Sequence, residues 1–177
     1  MRRIFAALFA MTFVGVATAA DDNVVEIDGL KSKAPAAWKR EEVKSTMRKA
    51  QFRIVKAEGD PEDAELVVSY FGKGGGGDKK ANLQRWKGQF KDAPAEKTKL
   101  EEFKVGNVEV TYLDIQGTFV SRSMTDPNAK SSDKPNFRAI NVMFQSPNGP
   151  YFIKLIGPSK TVEGQKAAFD DWLKAFK

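Results

Sequence analysis

The chain has no cysteine and no histidine in 177 residues. Without cysteine there is no disulfide and no thiolate nucleophile, so stability has to come from packing alone. Without histidine, the Ser-His-Asp relay and nearly every zinc or copper site are excluded. No Gly-x-Ser-x-Gly frame occurs either, which leaves a carboxylate pair of glycosidase type or a lysine base as the surviving catalytic chemistries. With 23 Asp and Glu in the chain, nothing in the sequence singles out one pair. The reading is therefore of a non-enzymatic protein with no catalytic residue, no metal and no cofactor.

One long apolar run is present, Ile4 to Val16, and it is shorter than the ~20 residues that a membrane-spanning helix requires. Arg2 and Arg3 precede it and Ala17-Thr18-Ala19 follows, before an abrupt change to polar residues at Asp21. A positive region, a short apolar core and a small-residue exit are the three parts of a secretory signal peptide. Residues 1–19 are read as that signal and 20–177 as one α+β domain, exported to the periplasm or the extracellular space. Cleavage after Ala19 would leave 158 residues with a formal charge of +4, against +6 for the whole chain. A mild positive balance in an exported protein argues against nucleic acid as partner.

Phe71 to Phe90, FGKGGGGDKKANLQRWKGQF, organises the remainder. Gly74, Gly75, Gly76 and Gly77 allow a sharp turn with bare amides, and Asp78 is placed to cap the helix that follows. Leu83, Trp86 and Phe90 recur at helical spacing, with Lys80, Gln84, Lys87 and Lys91 on the opposite side. Gly88 inside this pattern suggests a close packing partner. A glycine loop opening a helix attracts anions, and Asn82, Arg85 and Trp86 are the side chains to watch if it binds something. The loop lacks the Gly-Lys-Ser/Thr ending of a phosphate loop, and Asp78 puts a carboxylate where a phosphate would sit. A surface turn, with Trp86 in the core and Arg85 in an ion pair, is the competing reading.

Elsewhere the pattern is mostly β. Val24 to Leu30, the second half of the period-two stretch from Ser45 to Ile54, where the helix formers Glu41 to Lys49 compete, and Ala64 to Phe71 read as strands; Lys99 to Val105 and Val108 to Arg122 read as a hairpin with a bulge at Gly117. Phe137 to Gln145 and Tyr151 to Ile156 flank a Ser-Pro-Asn-Gly turn, and a loop is expected from Ser123 to Asn136. The closing helix, capped by Ser159 or Thr161, carries Val162, Phe169, Trp172, Leu173 and Phe176 on one face. Asp60, Glu62, Asp63 and Glu65 form an acidic cluster whose spacing is not that of an EF-hand, and a solvated turn is the favoured reading. The order predicts an antiparallel sheet of about six strands covered by two helices.

Pro35 and Trp38, the Met-Arg-x-Ala-x-Phe run from Met47 to Phe52, Gly59 to Glu65, the glycine loop and Asn82-x-x-Arg85-Trp86 together resemble a group of uncharacterised secreted bacterial proteins, notably planctomycete ones. With the closing Gly157-Pro158 helix, the layout is also similar to the PsbP-like superfamily. That resemblance implies an α/β/α sandwich around an antiparallel sheet, and a non-catalytic accessory or docking role on another envelope protein. A small-ligand or carbohydrate binder with a pocket beside Trp86 is the alternative. A ligand binder should show a concave pocket with convergent polar groups there; a docking module should show an exposed apolar patch.

Overall fold

The structure is a computed structural model that describes residues 23–121 and 131–177. The segment read as a signal peptide and most of the expected Ser123 to Asn136 loop lie outside the described residues. Val25 and Ile27 alternate with exposed neighbours in β1 (Val24–Ile27), as a half-buried strand requires. The chain then turns at Asp28-Gly29, both with positive φ, into β2 (Leu30–Lys33). The first expected strand is thus a two-stranded hairpin standing apart from the main sheet.

After β3 (Lys39–Arg40) come β4 (Arg48–Ile54) and β5 (Ala64–Tyr70), then α1 (Lys79–Lys87), β6 (Phe90–Lys91), β7 (Thr98–Val105), β8 (Val108–Ser121), β9 (Ser132–Ser146), β10 (Gly149–Pro158) and α2 (Ser159–Lys174). The main sheet has eight antiparallel strands rather than about six, in the order β3-β4-β5-β10-β9-β8-β6, with β7 also on the outer edge of β8. The excess is β3 and β6, two residues each, too short to leave a periodic signal. β9 begins at Ser132, so the last residues assigned to a loop are strand. The bulge at Gly117 is present: the β8–β9 register shifts between Gly117 and Phe119.

Alternation divides the sheet into two apolar faces. One presents Phe52, Leu66, Val110, Tyr112, Val142, Phe144 and Leu155 to α2, whose Val162, Phe169, Trp172 and Leu173 are buried as the helical spacing predicts, with Phe176 buried just past its end. Trp38 closes this core at 1% exposure, its ring 5.5 Å from Trp172 and 6.1 Å from Phe52. Each such large side chain contributes about 1.5–3 kcal/mol, so α2 is held mainly by this face. Neither Ser159 nor Thr161 caps α2. Pro158 occupies the cap position without a side-chain bond, and Asp60, from the turn before β5, accepts from the amide of Thr161 at 2.9 Å. Because the acceptor comes from a residue far away in sequence, the cap also ties that turn to the helix.

The opposite face carries Leu113, Met143 and Phe152 under Trp86 and Leu83 of α1, and beside them Ile115, Phe137 and Ala139 under Phe90. Phe90 therefore belongs to a strand and not to the helical face, and Lys91 pairs with Asp133 instead of lining the helix back. Gly88 is explained by the helix end: a Cβ there would meet the helix's own Gln84 carbonyl at 3.3 Å, with no external partner.

Candidate functional site

The glycine loop begins where β5 runs out against Phe71. Gly72, Gly74, Gly76 and Gly77 all have positive φ, and the Gly75 amide donates to the Gly72 carbonyl at 3.0 Å. This folds the loop back over the sheet until Gly76 lies on the ring of Phe152, where a Cβ would collide with it. Glycine is required at Gly76 for both reasons, since its φ of 83° is left-handed and its side is occupied. The loop is consequently a packed feature and not a free turn.

Asp78 then caps α1, its Oδ1 accepting from the Ala81 amide at 2.8 Å, as the sequence predicts. Asn82 is 1% exposed and donates to the carbonyls of Gly76 at 2.9 Å and of Asp78 at 2.8 Å, while Arg85 donates to its Oδ1. Asn82 is thus a clamp between loop and helix, and its amide is fully used. Trp86 is buried at 6%, edge-on to Phe152 at 6.5 Å. Of the expected residues, Gly74, Gly77 and Arg85 face solvent, Gly75 and Gly76 are half-buried, and Asn82 and Trp86 are interior.

Beside this assembly the α1-side face of the sheet is left open. Cross-strand register aligns Glu102, Thr111 and Met143 in one row and Lys104, Glu109 and Gln145 in the next. α1 starts too far along to cover them, and only Lys79 overhangs. The result is a groove of about 420 Å³ lined by Lys79, Glu102, Lys104, Glu109, Thr111, Met143 and Gln145. Lys79 bonds Glu102 at 2.8 Å, and this hydrogen bond first, then the Glu102 and Glu109 charges, hold its ammonium above the usual lysine range. Met143 is the floor, and it packs on Trp86. The groove therefore adjoins the glycine-loop assembly through one shared apolar cluster.

None of the strand residues that line the groove was singled out by sequence. They alternate within strands that read as ordinary half-buried β, and only the register across β7, β8 and β9 brings them together. The same face holds Lys154 and Asn141, directly opposed on β10 and β9. Here a signal did exist, since each interrupts an otherwise apolar run.

No family model and no curated protein matches this chain. Solved structures are similar to it, two of them as follows. One is a Pseudomonas aeruginosa protein of unknown function, PA94, at 13% identity and a TM-score of 0.49, covering 85% of this chain and 92% of the other. The second is the cyanobacterial PsbP, CyanoP, of Synechocystis sp. PCC 6803, at 12% identity and 0.49, covering 96% and 98%. Similarity at that level adds nothing about residues or activity, and the α+β architecture rests on the elements described above.

The acidic cluster is consumed by the fold. Asp60 caps α2, Asp63 accepts from Arg53 and from the Lys56 amide, Glu62 pairs with Lys134, and Glu65 pairs with Arg48. Among the described residues no three acidic side chains are grouped to hold a metal ion, and no helix is long and apolar enough to cross a membrane. Lys79 on α1 and Lys91 on β6 each have a carboxylate partner, so neither adds an unpaired charge to the basic side that Lys80 and Lys87 give the helix.

Proposed function

We propose that this chain is an exported, non-catalytic binding module that holds a small polar ligand in the groove between α1 and the β7–β8 hairpin. The observation that carries this is the groove itself: about 420 Å³ of concave surface, with cations and carboxylates converging over an apolar floor. That is the form expected of a pocket that orients a ligand by a few polar groups. Lining charges of both signs suit a ligand carrying both, or a hydroxyl-rich one such as a carbohydrate. Gly76, Asn82 and Trp86 act here by fixing the position of α1 and Lys79, so the expected site residues would matter indirectly.

Docking on another envelope protein is the second reading. Phe71 is 46% exposed and Met47 51% exposed, and the Tyr70 amide bonds the Met47 carbonyl, so both apolar side chains lie at the glycine-loop end of the sheet. A thermal-shift screen of the mature protein against amino acids, sugars and sugar acids tests the first reading, with Thr111→Trp as the filled-groove control. A ligand that raises the melting temperature of wild type but not of Thr111→Trp is expected. No stabilising ligand, together with an envelope protein captured by wild type and lost in Phe71→Ser/Met47→Ser, would replace that reading with docking.

A further inference from the structure

On the α1-side face, Asn141 is 1% exposed, and neither its Nδ2 nor its Oδ1 has a hydrogen-bond partner. A buried amide left entirely unpaired costs several kcal/mol, and native interiors seldom keep one without a reason. The geometry is indifferent to how the amide is flipped, because both ends are unpaired. Its cross-strand partner is Lys154, and on a directly opposed pair the Cβ atoms lie about 4.5–5.5 Å apart. The Lys154 amine is half-buried, bonded to Gln89 Oε1 at 2.9 Å and 5.0 Å from the centre of the Phe119 ring. Among the described residues no carboxylate bonds it.

We propose that Lys154 is a site of reversible carbamylation, its Nζ taking up carbon dioxide to form a carbamate that pairs with the side-chain amide of Asn141. The nitrogen lone pair attacks the carbon of CO2, an N–C bond forms, one C=O π bond opens onto oxygen, and one proton leaves the nitrogen for solvent. No oxidant, reductant or second reactant is needed. The product keeps one N–H beside a carboxylate oxygen, a donor and an acceptor side by side. An amide presents the complementary pair, so both unpaired atoms of Asn141 are satisfied at once. The four-carbon stem of lysine rotates freely enough to carry the amine from Gln89 to Asn141.

The surroundings favour the reaction in two respects. Burial, before any other cause, pushes the Lys154 ammonium down to about 8, so a sizeable share is neutral and nucleophilic near that pH. The charged groups facing it are Arg85 of α1, which disfavours the ammonium and would attract a carbamate, and Glu65 of β5, which does the reverse.

The test is carbon-13 NMR of the full mature protein in labelled bicarbonate at pH 8, with the carbamate trapped by triethyloxonium and located by mass spectrometry. Wild type should carry it on Lys154 in preference to exposed lysines, and Lys154→Arg should lack it. Asn141→Leu, similar in volume, should lower occupancy about fivefold, as loss of a net hydrogen bond or two implies. Gln89→Leu removes the competing acceptor and should raise occupancy, which keeps the test usable if Asn141→Leu does not fold. No carbamate on Lys154 in wild type, equal labelling of exposed lysines, unchanged occupancy in Asn141→Leu, or a fall in Gln89→Leu would each overturn the proposal.

Discussion

Asn82 offers the clearest quantitative test of the site's construction. Asn82→Ala removes its donations to the Gly76 and Asp78 carbonyls and the acceptor used by Arg85. The Asp78 carbonyl keeps the backbone amide of residue 82, at 3.1 Å, so Gly76 is the carbonyl left without a donor. At about 0.5–1.5 kcal/mol per net hydrogen bond and ~1–3 for a stranded acceptor, the expected loss is roughly 2–3 kcal/mol. Arg85→Ala breaks only the exposed end of the same chain of bonds and should cost less than about 1 kcal/mol. Asn82→Asp keeps the volume but turns a carboxylate toward two carbonyls, and should be at least as harmful as alanine despite a gained pairing with Arg85. Urea unfolding midpoints at constant slope give all three values. An Asn82→Ala loss within ~0.5 kcal/mol of zero, the range of ordinary surface changes, would refute the clamp and with it the view that the loop is packed.

Gly76→Ala meets both the left-handed φ and the Phe152 ring and should cost at least ~2 kcal/mol, whereas Gly77→Ala, which meets only Asn82 Nδ2 at 3.6 Å, should pay about 1–2 for the φ alone; paired thermal melts separate them. Asp60→Ala removes the cap on α2 and should lose about 1–2 kcal/mol, read as earlier loss of helical signal in circular dichroism. For Lys154, the folded pKa of about 8 lies below the ordinary 10.5, so the unfolded chain binds more protons between those values. Stability should therefore rise with pH across that window, by up to about 3 kcal/mol for this group. Burial together with the Asp170 bond holds the Tyr112 hydroxyl above its usual range and acts in the opposite sense near pH 10. The difference between wild type and Lys154→Met cancels that contribution; a flat difference would show that Lys154 is not desolvated. Finally, N-terminal sequencing of secreted material should begin at Ala20 if the leader is cut as its Ala-Thr-Ala exit predicts.

Legibility in the sequence followed the range of the interaction. The α2 face, the Asp78 cap and the Gly117 bulge were readable because each depends on residues within a turn or two of one another. The α2 cap was misassigned to Ser159 or Thr161 because the real acceptor, Asp60, is supplied by the chain about a hundred residues earlier. Phe90 fitted the helical period yet sits in β6, since helix α1 stops at Gly88 and the next residues pair with β8. At the candidate site, the glycine loop was visible, but its compactness was not: that requires Phe152 beneath Gly76.

By itself, then, the amino-acid sequence determined an α+β chain of antiparallel strands with two helices, and its lack of histidine and cysteine narrowed the available chemistry. These follow from local periodicity and composition, which no partner can alter. The tertiary structure decided which strands are neighbours, and hence the groove of Glu102, Lys104, Glu109, Thr111 and Gln145 and the facing of Asn141 by Lys154. Register sets those meetings, and register is a property of pairs of strands, fixed by which face of each strand is buried against the rest of the chain.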